Sequence, residues 1–161
     1  MAKYAPPGKT EVHWVTTLAD YEEPTAAELN AGTDLTTFVR NMPTLPRALN
    51  LVDVATLDSK YEKRQVGTRG GDQLTVEILR DNATDTAYTT LTEDTAGFLV
   101  VARKGLATAG TFAVNDEVDV YPATVGAVED GTPGRNDPDF SNVSLVATND
   151  PNRGFSITDA S

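Results

Sequence analysis

Within Gln73 to Asp81, Leu74, Val76 and Ile78 fall on one side of an extended backbone, and Thr75 and Glu77 fall on the other. A helix would scatter the same side chains around its axis, so this period of two commits the segment to a strand with one covered face. Asp116 to Val128 repeats the pattern at greater length, with Val118 and Val120 opposed to Glu117, Asp119 and Tyr121. Gly97 to Arg103 instead runs Phe98-Leu99-Val100-Val101-Ala102 without a polar break, as a strand buried on both faces would. The 23 Thr and 16 Val, set among Gly, Asp and Asn, supply strand formers and turn formers for more of the same.

Elsewhere the pattern is similar. Thr10 to Leu18 reads as a strand, with His13 among Val12, Trp14 and Val15. After Pro24, Thr25 to Asn30 reads as one helical turn, with Thr25 as cap, Glu28 three residues on and Gly32 as the stop. Asp34 to Arg40 resumes β character through Leu35, Phe38 and Val39; Pro43 and Pro46 interrupt it before a strand from Leu49 to Leu57. Thr84 to Asp94, around Tyr88 and Leu91, suits a short helix or turn, and Val143 to Ala147 a further strand. Met1 to Lys9 reads as an N-terminal arm, residues 58–72 as a polar exposed loop or hairpin arm, 129–139 as a loop, and 148–161 as a tail with an apolar touch at Phe155 and Ile157. The expectation is a single domain over 1–161, mainly β, a β-sandwich or partly closed barrel of seven or eight strands with one or two short flanking helices.

Several chemistries lack their parts. Without cysteine there is no disulfide, thiolate metal site or cysteine nucleophile. The lone His13 has no second histidine or cysteine to share a metal, and serine hydrolysis has no base to spare. Gly67 to Gly71 lacks the Gly-Lys-Ser/Thr end of a phosphate loop. Asp116 with Glu117 and Asp119, or Glu22 with Glu23, could pair as acid and base, but neighbouring strand positions point to opposite faces. Asp130, Asn136, Asp137 and Asp139 offer hard oxygen donors for calcium, with Pro133 and Pro138 marking the same stretch as a rigid turn region. No segment reaches the roughly 18 apolar residues of a membrane span, and no membrane partner is expected.

Charge is uneven along the chain. The formal total is −11, of which residues 81–161 carry −9. Such a surface repels nucleic-acid phosphates. Lys60, Lys63, Arg64 and Arg69 cluster against that trend, and in a polymer of identical subunits a basic arm can dock on the next subunit's acidic surface.

TAAELNAGTDLT at Thr25 to Thr36, following EVHWVTTLAD, resembles the major tail tube proteins of long-tailed, siphovirus-type bacteriophages, in particular the actinobacterial-phage type. VDVATLDSKYEKRQVGTRGGDQLTVEILRD resembles their strand, long charged loop and strand, and YTTLTEDTAGFLVVARKG their helix-turn and central strand, in order over residues 10–128. The resemblance implies a non-enzymatic, cofactor-free structural subunit of the virion tail, assembled in the bacterial host cytoplasm into stacked hexameric rings. Its implied partners are other copies of itself, a tape-measure protein, and the tail terminator and distal tail or baseplate proteins; DNA passes through without specific binding. It places a loop bridging successive rings at 58–72, hence at Lys60, Lys63, Arg64 and Arg69. It also makes Thr75 and Glu77, then Glu117 and Asp119, candidates to line an acidic lumen. A second reading is another virion or surface β-sandwich, such as a head decoration, binding calcium through 129–139. A third is a carboxylate-dependent enzyme using Glu117 and Asp119.

Overall fold

The computed structural model describes residues 8–41, 47–71 and 73–158. Most of the N-terminal arm (1–7), Pro43, Pro46, Asp72 and the last three residues of the tail lie outside the described residues. Among the described residues, nine strands and two short helices follow one another as β1 (Glu11–Val15), α1 (Ala26–Asn30), β2 (Thr33–Asp34), β3 (Arg47–Asp53), β4 (Arg64–Gly71), β5 (Gln73–Leu79), α2 (Thr86–Thr90), β6 (Ala96–Ala102), β7 (Glu117–Asp130), β8 (Phe140–Ala147) and β9 (Asn152–Ser156). All but β3 and β4 belong to one antiparallel sheet in the order β2-β1-β6-β7-β8-β5, with β9 also paired to β7.

Register follows from burial. Trp14 sits opposite Leu99 and Val12 opposite Val101, while Leu74 meets Leu145 and Val76 meets Val143. Slipping any of these pairs by one residue would send the apolar row to the other face. With β7 between them, these strands build a continuous apolar layer that α2 covers through Ala87 and Leu91, joined by Leu35 and Phe38. On the opposite face Val15, Val100, Ala102, Val118 and Val120 make a second cluster under Leu29 of α1, Phe112 and Ile157. Both faces of β6 are therefore buried, as its unbroken apolar run requires.

The sheet is curved, and a short tether shows it. Leu35 donates its N–H to Val12 in β1, and Phe38 accepts from Leu79 in β5. Strands β1 and β5 stand four steps apart, which is roughly 19 Å across a flat sheet. Three residues reach at most about 10 Å. The two margins must bend towards one another, giving a partly closed, mainly β architecture that stops short of a barrel.

Local chemistry explains the differences from the sequence reading. Asp34 to Arg40 is not a strand beyond Asp34, because Asp34 Oδ1 accepts from the Thr36 N–H and Leu35 O accepts from Phe38 and Val39, so the backbone turns. Strand β7 runs on to Asp130, since Glu129 and Asp130 still have partners in Asn142 and Ser141; the loop begins at Gly131. The tail contains β9. Gly154 sits at φ +68°, and its N–H donates to Asp119 at 2.7 Å where the β7–β9 register shifts. Residues 58–72 contain β4, zipped to β3 as a hairpin. Helix α1 has the expected capping box: Thr25 Oγ1 accepts from the Glu28 N–H, and Glu28 Oε2 accepts from the Thr25 N–H.

Candidate functional site

The carboxylates suggested as an acid-base pair are committed to folding. Asp116 is buried and accepts from the Ala107 and Ala113 N–H groups. Asp119 is also buried, 2.8 Å from Arg103 Nε, and Glu117 lies 2.6 Å from Lys104 Nζ. The Tyr121 hydroxyl and then Asp119 raise the Arg103 pKa. A cleft of about 430 Å³ is lined by Asp20, Tyr21, Glu22, Glu23, Asp150 and Phe155 among others. Burial, then the Glu22, Asp150 and Asp20 carboxylates, push the Tyr21 phenol up, which keeps it protonated and unfit as a nucleophile.

The proposed calcium loop does not gather its oxygens. Asp130 Oδ1 accepts from the Ser141 hydroxyl and lies near Arg80, while Asp137 Oδ2 accepts from the Gly134 N–H. Among the described residues no group of three or more His, Cys, Asp or Glu could hold a metal ion.

Two surfaces stand out instead. The first is the β3–β4 hairpin, whose residues are exposed along almost its whole length. Leu49, Leu51 and Val66 share one side of it, with Leu51 opposite Val66 and Leu49 opposite Arg69, and each is half exposed or more. Arg64 and Arg69 flank them in β4, and Lys60 and Lys63 lie in the exposed connection between the strands. Arg47, at the root of the hairpin, pairs with Asp150 of the body at 2.7 Å.

The second surface is the side of β5, β8 and the end of β7 that carries no covering layer among the described residues. Thr75 is exposed there opposite Ser144, and Glu77, half-buried and 3.1 Å from Arg40, lies opposite Asn142, which is itself opposite Glu129. Gln73 donates to Ser144 at 2.7 Å, and Val146 is half exposed beside them. Sequence reasoning named Thr75 and Glu77 but missed Asn142, Ser144 and Glu129. The alternation of β8, Val143 and Leu145 inward with Asn142 and Ser144 outward, carried the signal; Glu129 was hidden because Gly131 and Pro133 extended the apparent loop backwards. Glu117 and Asp119 do not join this surface: Asp119 lies opposite Val101 in the first apolar layer, and Glu117 opposite Ser156.

A curved sheet with an exposed hairpin bearing apolar side chains and an open polar face defines a protein that works through contact surfaces. A family model described as phage tail tube protein matches residues 1–159. The chain belongs to that family, and is accordingly a structural subunit of a phage tail and not an enzyme. No curated protein sequence matches it. Among solved structures, it is similar to a chain of the 6-fold symmetrised anti-feeding prophage (AFP) baseplate at a TM-score of 0.62 and 13% identity, covering 98% of this chain and 99% of that one. It is also similar to a chain in the tail of an empty GTA particle refined with C6 symmetry, at a TM-score of 0.50 and 13% identity, over 78% and 90% of the two chains. At such identity these likenesses speak to the fold alone.

Proposed function

We propose that six copies of this chain close into a ring, that rings stack into the tube, and that the β3–β4 hairpin is the element one copy lends to the next. The observation that carries this reading is the hairpin itself. A two-stranded ribbon is marginal in water on its own, and this one leaves Leu49, Leu51, Val52 and Val66 half exposed or more on the isolated subunit. A neighbouring copy that covers them recovers apolar burial and pairs the free strand edges. The C6 and 6-fold symmetry of the two similar assemblies supports the number six.

In this arrangement the open face of β5, β8 and β7 turns to the bore. Thr75, Ser144 and Asn142 give it a neutral hydroxyl and amide lining, with Glu77 and Glu129 as its carboxylates, so DNA slides past without a cationic anchor. Asp119 and Glu117 serve the subunit's own folding and its surface pairing. A tape-measure protein occupies the bore before DNA does, and terminator and distal tail or baseplate proteins close the two ends. Assembly takes place in the host cytoplasm.

Electron microscopy of the purified chain, seeded with preformed tubes where it stays monomeric, tests the reading. Rings or tubes with six subunits per turn are expected, and Lys63→Glu with Arg64→Glu should assemble poorly while melting as the parent does. Normal polymerisation of that double variant would remove the hairpin's basic residues from the contact, and a chain that stays monomeric even when seeded would overturn self-assembly.

A further inference from the structure

The cleft of about 430 Å³ beside β9 holds acidic side chains that the fold does not use. Asp150 is paired with Arg47, and Asp20 Oδ1 accepts from the Glu22 N–H. Glu22 and Glu23 are exposed and have no ion pair among the described residues. Tyr21 and Phe155 add aromatic lining, and Asn152 ties the 20–23 turn to β9 by donating to the Tyr21 and Glu22 carbonyls at 3.2 and 2.9 Å. Pockets of about 300–1,000 Å³ take small organic groups, so this one has room for an aromatic side chain. The tip of the β3–β4 hairpin carries the complementary set. Leu57 is fully exposed, Tyr61 is 78% exposed, and Lys60 and Lys63 have no ion pair among the described residues. The tip is shaped by its own bonds, since Ser59 Oγ donates to Tyr61 O at 2.8 Å and Lys63 O accepts from the Val54 N–H at 3.0 Å. A copy does not dock this tip in its own cleft. Arg47, at the root, touches the cleft's Asp150, and the seven residues of β3 hold the tip about 20 Å away.

We propose that this cleft receives the hairpin tip of the next copy, with Tyr61 entering against Tyr21 and Phe155, and Lys60 and Lys63 meeting Glu22 and Glu23. The proposal rests on the self-assembly reading above and names the surface that takes the hairpin. Tip and cleft lie on different parts of one subunit, so the contact runs head-to-tail and propagates from copy to copy instead of ending in a two-fold pair. A tyrosine flanked by cations suits such a seat. Its ring buries apolar area while its hydroxyl keeps a polar partner, and a lysine gains more from a carboxylate where water is partly displaced. Burial, and then the Glu22, Asp150 and Asp20 carboxylates, raise the Tyr21 pKa, so the potential inside the cleft has the sign that favours an incoming cation.

A charge exchange tests it. Glu22→Lys with Glu23→Lys adds two charge units at each site and takes the formal charge from −11 to −7, which lessens the general repulsion between acidic bodies. Assembly should nevertheless fall, with the critical concentration for tube formation, read by light scattering and electron microscopy, rising about ten-fold or more. Lys60→Glu with Lys63→Glu should fall likewise. All four substitutions together restore the parent's formal charge and the pairing with its signs exchanged, and should recover most of the assembly. Tyr61→Ala should raise the critical concentration about ten-fold with every charge in place. The five positions are exposed, so each variant should melt as the parent does. If Glu22→Lys with Glu23→Lys forms tubes at the parent's critical concentration, the cleft is not the seat, and self-assembly stands without it. A four-fold variant no better than either pair would overturn the proposal as well, by placing the tip on another surface. A parent that stays monomeric even when seeded removes both readings together.

Discussion

Gly97 faces the Trp14 ring across the β1–β6 pair, and no other residue fits there. A Cβ at this position would lie 2.6 Å from Trp14 Cζ2 and 2.9 Å from the Val15 carbonyl oxygen, so neither a buried indole nor a paired backbone has room to yield. Gly97→Ala should destabilise the subunit by about 1–3 kcal/mol, the usual cost of overpacking. Thermal melting would read this as a fall of roughly 2–4 °C per kcal/mol for a chain of this size. Glu28 gives a pH signature. The Thr25 N–H, and next the Ala19 N–H, hold its carboxyl below the ordinary 4.5. Because the folded value is the lower one, the stabilisation is present above pH 4.5 and is lost as pH falls through the lowered value. Glu28→Gln should therefore melt below the parent at neutral pH, by at most about 1 kcal/mol given the solvated carboxyl. The gap should narrow steadily in melts taken below pH 4.5. The capping box was legible as Thr25-x-x-Glu28 because its partners are three residues apart. The cross-strand meeting of His13 and Asp34 was not, since Asp34 comes 21 residues later and only strand pairing brings the two together.

At the scale of elements, what could be read in advance was whatever a short window contains. Strands β5, β6 and β7 announced themselves through alternation or an unbroken apolar run, and α2 through Tyr88 and Leu91. What failed depended on distant partners. Strand β9 has little apolar content of its own and exists because β7 offers it an edge, with Asp119 accepting from Gly154. Conversely, Asp34 to Arg40 has strand-forming residues but bends to bridge the two margins of the sheet. The hairpin invites its own test. Replacing Leu49, Leu51 and Val66 together by Thr keeps β-branched or hydroxyl side chains compatible with a strand, and removes only exposed apolar area. Monomer stability should change by no more than about 0.5 kcal/mol for each site, as at other exposed positions. Tube formation, followed by light scattering and electron microscopy, should fail.

For the whole molecule, the two hairpin variants separate charge from packing. Reversing Lys63 and Arg64 changes each by two units and takes the formal charge from −11 to −15, so copies that already repel one another lose part of their attractive counterweight. That defect acts through a field which salt shortens, from about 8 Å at 0.15 M to about 3 Å at 1 M. The Thr triple variant carries the parent's charge and lacks contact area, which screening does not restore. Raising sodium chloride towards 1 M should therefore recover much of the assembly of Lys63→Glu with Arg64→Glu, and none in the Thr variant. Equal recovery of both would mean that long-range repulsion between acidic bodies, and not the apolar side of the hairpin, limits the tube. Recovery of neither would make the Lys63 and Arg64 contacts short-range hydrogen bonds to specific acceptors on the next subunit, a role that a distance-screened field does not describe.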